Sequence, residues 1–428
     1  MEGVKLQLRS NNSIRDVLKR IASSKGNSHS HSDGARFHPF PARMPIWLAE
    51  EIVVALTAKG DIVLDPMVGS GSTATASLRA HRAVIGTDID PMALLLSRVA
   101  TTAYKREIAT KRLAQILERA ERHAAHGLYV DTVRKAFNSE GQDFLKYWFP
   151  TCSQKQLFAL TEEIAAEPAG KYRDLAWITL SSLIIAKSAG VSYALDISRS
   201  RPHKVKDKPV PDGFDAWRRR SKVVVDRLPF TVDSVPPVRA RIEHADARKL
   251  PVEDASVNLV VTSPPYLNAI DYVRTHKFSL VWMGYELSAL RTVRSEMVGT
   301  ERGMYCPDSL PSHLETSIVD SIDDRTRLAI VRRYLSDVRQ VLLEINRVLK
   351  PGGAAIIALG PSLISQNKSD AGNVIGNLAE SVGLENVGSS FRPLEGGRRS
   401  LPPPAAAKRG NALALRMEGE VFLGLRKQ

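Results

Sequence analysis

This sequence predicts an α/β fold: a doubly wound parallel sheet, split by a helical, basic insertion and finished by a C-terminal antiparallel hairpin. Three observations carry the prediction. Short apolar runs alternate with helical periodicity from Pro45 to Ala100. The alternation then stops for about 140 residues rich in helix signals and cations. It resumes at Ala240.

Taken in order, residues 1–35 end in a small, polar stretch (Ser-Lys-Gly-Asn-Ser-His-Ser-His-Ser-Asp-Gly) that reads as a flexible lead-in. His29 and His31 have no partner ligands nearby, so no metal is expected there. Pro45–Thr57 has helical periodicity. Asp61–Asp65 is an apolar run before a glycine-rich turn, as for a buried strand, and Ser72–Ala80 suits the helix that follows. Ala83–Asp88 is a second strand, and Pro91–Ala100 starts another helix. Residues 105–190 read as mostly helical, with turns near Asn138–Gly141 and Pro168–Gly170. Ser198–Lys222 holds nine Lys or Arg against three Asp, with Pro202, Pro209 and Pro211 keeping part of it extended. Strands return at Ala240–His244, Val257–Val261 and Ala354–Leu359, the last after the turn Lys350-Pro351-Gly352-Gly353. Asn411–Met417 and Glu420–Leu425 read as the terminal hairpin. The expected units are the lead-in (1–35), a cofactor-binding half of the sheet domain (36–104), the insertion (105–238) and a catalytic half (239–428).

The 428 residues are 43% hydrophobic and 25% charged, the balance of a soluble globular protein. A net charge of +14 favours a polyanionic partner. Two cysteines, Cys152 and Cys306, build no disulfide framework and fit a reducing cytoplasm. The N-terminal residues hold no secretory signal, and the most apolar run, Leu175–Ile185, is too short to span a bilayer.

Two motifs carry chemistry. In Asp65-Pro66-Met67-Val68-Gly69-Ser70-Gly71-Ser72-Thr73 the glycines let the backbone approach a ligand, and Asp88 closes the next strand, where a carboxylate can accept from ribose hydroxyls. This pattern alone also fits a nicotinamide dinucleotide. The second motif is Thr262-Ser263-Pro264-Pro265-Tyr266, at the carboxyl end of a strand. Two prolines hold the chain extended, so the Pro264 carbonyl projects stiffly beside the Ser263 hydroxyl and the Tyr266 ring. Two acceptors and a flat face suit an amino group borne on a ring.

Together, DPMVGSGST and TSPPY resemble the DNA amino-methyltransferases, which make N4-methylcytosine or N6-methyladenine. Phe37–Pro45 is similar to the family segment that encloses the cofactor, Ala245–Pro251 to the one bringing an acidic residue to the adenine, and Leu349–Gly353 to the turn before the fifth strand. Met67 stands where the family usually has an aromatic residue, and a methionine fills such a pocket flexibly. The resemblance covers about residues 36–100 and 240–425 and implies a Rossmann-like methyltransferase sheet that binds S-adenosylmethionine and DNA, with a cognate restriction endonuclease as candidate protein partner. It assigns Phe40, Pro41, Asp65, Pro66, Gly69, Gly71, Ser72, Asp88, Asp246 and Ala247 to the cofactor. It assigns Ser263, Pro264, Pro265 and Tyr266 to catalysis by direct displacement on a flipped base. No cysteine nucleophile and no metal are required. Ser at position 263 goes more with cytosine N4, Asp or Asn with adenine N6. Asn268, Asp271 and Tyr272 are candidates for the base pocket, or else for capping and packing the next helix.

Arg199, Arg201, Lys204 and Arg218–Arg220 are candidate phosphate contacts, with Lys206, Lys208 and a Trp217 wedge beside them. Base reading falls to residues 105–190 or 285–330. RNA methylation and a catalytically inactive nucleic-acid binder of the same fold are the competing functions.

Overall fold

The computed structural model describes residues 11–24, 37–40, 43–126, 130–186, 190–195, 197, 202–234, 238–267, 272–300, 310–312, 314–315, 322, 325–360, 370–394 and 419–428. Nine strands are described: Ile62–Asp65 (β1), Ala83–Asp88 (β2), Ala194–Leu195 (β3), His203–Lys204 (β4), Ala240–His244 (β5), Val257–Thr262 (β6), Leu349–Leu359 (β7), Leu384–Pro393 (β8) and Gly419–Lys427 (β9). The helices are Asn11–Ser23 (α1), Ile46–Leu56 (α2), Ser72–Arg79 (α3), Pro91–Thr101 (α4), Arg106–Ala125 (α5), Val130–Lys135 (α6), Ser139–Trp148 (α7), Thr151–Ala165 (α8), Lys171–Ile184 (α9), Gly213–Asp226 (α10), Tyr272–Leu280 (α11), Leu287–Glu296 (α12), Arg325–Val348 (α13) and Asp370–Glu380 (α14).

Seven strands form one sheet in the order β5-β2-β1-β6-β7-β9-β8. All run parallel except β9, which is antiparallel to both neighbours. The sheet winds outward in both directions from β1 and β6, so their carboxyl ends flank the crevice where ligands bind in open α/β sheets. Central strands are apolar on both faces. In β7, Ala354, Ile356 and Ala358 enter one core with α1, α2 and α3, while Ala355, Ile357 and Leu359 enter the other with α13 and α14. A third core joins α4 to the insertion helices and α11.

Three expectations change. The lead-in is not all loose: α1 buries Ile14, Val17, Leu18 and Ile21 against β8 and β9, at the i, i+3, i+4, i+7 spacing of an amphipathic helix. Glu420–Leu425 does form antiparallel pairs, but with β7 and β8; Asn411–Met417 lies outside the described residues. Lys350–Gly353 is no separate turn. It is an irregularity inside β7, where pairing with β6 shifts register between Val257 and Leu259.

Among the described residues no helix is long and apolar enough to cross a membrane, and no cluster of His, Cys, Asp and Glu could hold a metal.

Candidate active site

β1 ends on Asp65 and the neighbouring β6 on Thr262. Thr262 Oγ1 donates to Asp65 Oδ1 at 2.8 Å, and the Met67 N–H donates to the same oxygen at 3.2 Å. This bond ties the glycine turn to the Ser263 loop across 197 residues of sequence. Burial pushes the Asp65 carboxyl up to about 6.

The glycine turn is built from both sides. Gly71 caps α3 at φ 80°, and a Cβ there would lie 3.1 Å from Ser97 Cα on α4, so only glycine fits. Ser97 Oγ donates to the Gly69 carbonyl at 2.9 Å. The Gly69 N–H donates to Asp88 Oδ2 and the Asp90 N–H to Asp88 Oδ1, both at 3.0 Å. These two bonds aim the Asp88 carboxylate, while burial and the neighbouring Asp90 push it up to about 7. Asp90 caps α4 through Met92 N–H at 2.9 Å, and its other oxygen meets His276 Nδ1 at 2.5 Å. Both side chains are buried.

These residues border a cleft whose empty space, part of it open to solvent, is about 840 Å³. Phe40 walls one side, stacked on Tyr272 with centroids 5.5 Å apart. Asp246 enters from beyond β5, gripped by Arg248, whose other arm reaches Asp337 on α13 at 2.6 Å. Asp65, Asp88, Asp90 and Asp246 all line the cleft, and Arg43 is the sole cation among its described lining residues. Such a field repels a dianionic pyrophosphate and suits a cationic sulfonium joined to a neutral nucleoside. The donor set therefore fits S-adenosylmethionine and not the nicotinamide dinucleotide that the glycine pattern left open. Asp88 lines the cleft beside the glycine turn, and Phe40, Ala247 and Val298 give it apolar walls.

A family model described as DNA methylase, of the N6/N4 class, matches residues 6–98. That span holds Phe40, the glycine turn and Asp88. Within that span the chain is similar to the DNA amino-methyltransferases. The type II methyltransferase M.MvaI of Kocuria varians is 21% identical over 424 residues, covering 91% of this chain and 90% of that protein. M.BsoBI of Geobacillus stearothermophilus is 23% identical over 318 residues, 68% of this chain and 60% of that protein. M2.DpnII of Streptococcus pneumoniae is 41% identical over 58 residues, 14% and 22% of the two chains. This chain thus spans less than two thirds of the last two relatives. A solved methyltransferase from Methanosarcina mazei covers 88% of this chain and 96% of its own at 9% identity and a TM-score of 0.32, too loose a likeness to carry an argument.

The cleft brings together Phe40, Asp65, Pro66, Gly69, Ser72, Asp88, Asp246, Ala247, Ser263 and Pro265. Gly71 caps α3 without lining the cleft, Pro264 is buried, and Tyr266 turns toward β9. Pro41, Asn268 and Asp271 lie outside the described residues. Tyr272 both lines the cleft and packs on Phe40. Sequence reasoning missed Asp90 and His276. An Asp directly before Pro91 is a helix-start signal that would have flagged the first; nothing local marks His276.

The expected phosphate contacts divide. Arg199 and Arg201 lie outside the described residues. Lys204 Nζ sits 4.4 Å over the Tyr147 ring. Arg218 is exposed and paired with Asp215 at 2.6 Å and with Glu121. Arg219 is exposed. Arg220 is instead turned inward, donating to Ser182 Oγ and the Phe37 carbonyl at 3.1 Å each. Lys208 is buried and binds three backbone carbonyls. Trp217 is no wedge: it is fully buried on the apolar stripe of α10, its indole N–H donating to the Leu113 carbonyl at 3.1 Å.

Proposed function

We propose that the chain is a site-specific DNA methyltransferase that moves a methyl group from S-adenosylmethionine to the exocyclic amine of a flipped base, cytosine N4 before adenine N6, in the cytoplasm. The observation that carries this reading is the Thr262–Asp65 bond, which sets the Ser263–Tyr266 loop against the acidic cleft at the carboxyl ends of β1 and β6. The type II names of the relatives support DNA as the acceptor.

The cofactor supplies an electrophilic methyl carbon on a sulfonium. The protein's own residues do the rest. Asp88 and Asp246 would hold the nucleoside end, and Phe40, packed beside Gly69, would wall it. An exocyclic amine is a poor nucleophile because its lone pair is delocalised into the ring. Acceptance of its hydrogens by Ser263 Oγ and the Pro264 carbonyl localises that pair and aims it, which is positioning plus electrostatics with no covalent enzyme intermediate. Extruding the base costs a few kcal/mol, and stacking on the Tyr266 ring offsets part of it. Ser263 is the residue that favours cytosine, by its resemblance to family members with Ser in this place.

Mass spectrometry of nucleosides from DNA incubated with protein and S-adenosylmethionine tests the reaction. N4-methylcytosine is expected from the wild type. Ser263→Ala should cut its rate by at least about tenfold through loss of one acceptor. N6-methyladenine would correct the base. Absence of either nucleoside would turn the reading to RNA, or to a protein that binds without catalysing.

Phosphate contact belongs to the exposed cations of α10. Arg219→Glu with Lys222→Glu should weaken duplex binding and flatten its salt dependence by about one unit of slope per lost contact. A reversal of Arg220 would test the fold instead, since that side chain is held inside. Unchanged affinity of the α10 double variant across a salt series refutes the assignment.

A further inference from the structure

The Tyr266 hydroxyl donates to Glu420 Oε1 at 3.1 Å. Glu420 lies near the start of β9, directly opposite Arg392 on β8, and its second oxygen accepts from Arg392 Nη1 at 3.3 Å. Only 3% of the Arg392 side chain and 15% of the Glu420 side chain reach solvent. The guanidinium lies 5.5 Å over the Trp47 ring of α2. On its other flank the Tyr266 ring rests against Gly360, just past the end of β7. A Cβ at Gly360 would stand 3.2–3.3 Å from the ring carbons, so glycine leaves the space the ring occupies.

A buried arginine–carboxylate pair is a weak stabiliser, because desolvation offsets most of its attraction and an apolar pair of like volume often does as well. Here the flanking β9 residues Val421 and Phe422 are apolar and buried, so an apolar pair would suit the site. What the pair adds is a fixed acceptor at the end of a chain of contacts that begins on α2 and finishes on the hydroxyl of the catalytic loop's tyrosine. A side-chain ring otherwise turns about two torsions. Seated on Gly360 and tethered at its tip, this one has neither free.

We infer that Glu420, braced by Arg392, is a positioning residue for methyl transfer: it fixes the plane of the Tyr266 ring and, through the short loop, the aim of the Pro264 carbonyl two residues before it. This rests on the reading of the site given above. Misplacement of a reacting group by about 1 Å is enough to lower the rate severely, so the tether acts on turnover and not on cofactor affinity. The antiparallel end of the sheet thereby takes part in the chemistry performed at its parallel centre.

The test is a double-mutant cycle on methylation of unmethylated duplex DNA of mixed sequence, with S-adenosylmethionine affinity measured by calorimetry. Tyr266→Phe removes only the hydroxyl and leaves the Arg392–Glu420 pair intact, so it remains informative even if Glu420→Ala folds poorly. Tyr266→Phe and Glu420→Ala should each lower kcat by about tenfold, the scale of one net hydrogen bond, with cofactor affinity unchanged. The double variant should lose no more than either single. Glu420→Gln should recover most of the rate. Its amide oxygen can serve Arg392 while its N–H donates to the Tyr266 oxygen, preserving the tether with reversed polarity. A Tyr266→Phe protein with wild-type turnover overturns the inference, as do losses that multiply in the double variant. A wild type that methylates no DNA overturns the functional reading and the positioning role with it; an active wild type with insensitive variants overturns only the latter.

Discussion

Asp88→Asn should weaken S-adenosylmethionine binding by at least about a hundredfold, from the loss of two charge-assisted hydrogen bonds of about 1.5–3 kcal/mol each. The substitution is isosteric, so the change is electrical. The carboxylate accepts from the Gly69 and Asp90 N–H groups, one on each oxygen. An amide has one acceptor oxygen, and its NH₂ would face one of those donors head-on. The turn loosens where the cofactor must lie against it, and the charged acceptor for the ribose hydroxyls is gone.

The same group predicts a pH dependence. Burial and Asp90 raise the folded-state value from 3.8 to about 7. Below about 7 the free protein therefore holds a proton on Asp88, and cofactor binding must expel it. Affinity should fall by up to about tenfold per pH unit below that point. Folding stability runs the other way. With the folded value above the unfolded one, the cost of burying this carboxylate is full above about 7 and disappears as pH falls toward 3.8. Acidification should thus shrink the thermal stabilisation given by the cofactor while this group makes the free protein no less stable. Calorimetry and melting between about pH 8 and 5.5 check both signs. Cofactor affinity that is flat over that range in the wild type contradicts the assignment.

Lys208→Met should be the most damaging change within the insertion, costing about 3–5 kcal/mol as three buried carbonyls lose their donor. The Lys208 ammonium, 8% exposed, donates to the carbonyls of Gly190 at 2.9 Å, Ser192 at 2.6 Å and Ala194 at 3.0 Å. Burial pulls its value down to about 8, so it remains charged at neutral pH with these carbonyls as its coordinating shell. Methionine keeps the length of the side chain and offers no hydrogen. The segment that leads into the β3–β4 ribbon would be left with unpaired polar groups. Urea unfolding should show a lower midpoint, while cofactor affinity stays within about twofold because the cleft lies on other elements. An unchanged midpoint would mean that water or a neighbouring donor replaces the ammonium.

Most of the parallel sheet was legible because its signals are local. The runs Ile62–Asp65 and Ala83–Asp88, apolar or small up to an acidic last residue, can hardly be anything but buried strands beside a glycine turn, and each such signal spans fewer than about ten residues. The α1 helix was equally local and was overlooked, because the polar stretch after it drew Ile14, Val17, Leu18 and Ile21 into one flexible segment. The cations of α10 misled for a related reason. Three consecutive arginines span about 200° around a helix, so charge alone does not say which faces solvent. The burial of Ala216, Trp217, Val224 and Val225 decides that Arg218 and Arg219 face out and Arg220 faces in.

The residue types at strand ends and the spacing of the glycines therefore sufficed to place β1, β2, β5, β6 and β7, the acidic cleft's principal members and the loop that resembles a methyl-transfer site. Periodicity and turn chemistry act over one or two turns of chain. Tertiary structure alone decided which distant segments meet: Thr262 with Asp65, Asp90 with His276, β8 with β9, and Tyr266 with Glu420. Those pairings depend on sheet order and register, which are set by the packing of whole faces and leave no mark at the residues that come into contact.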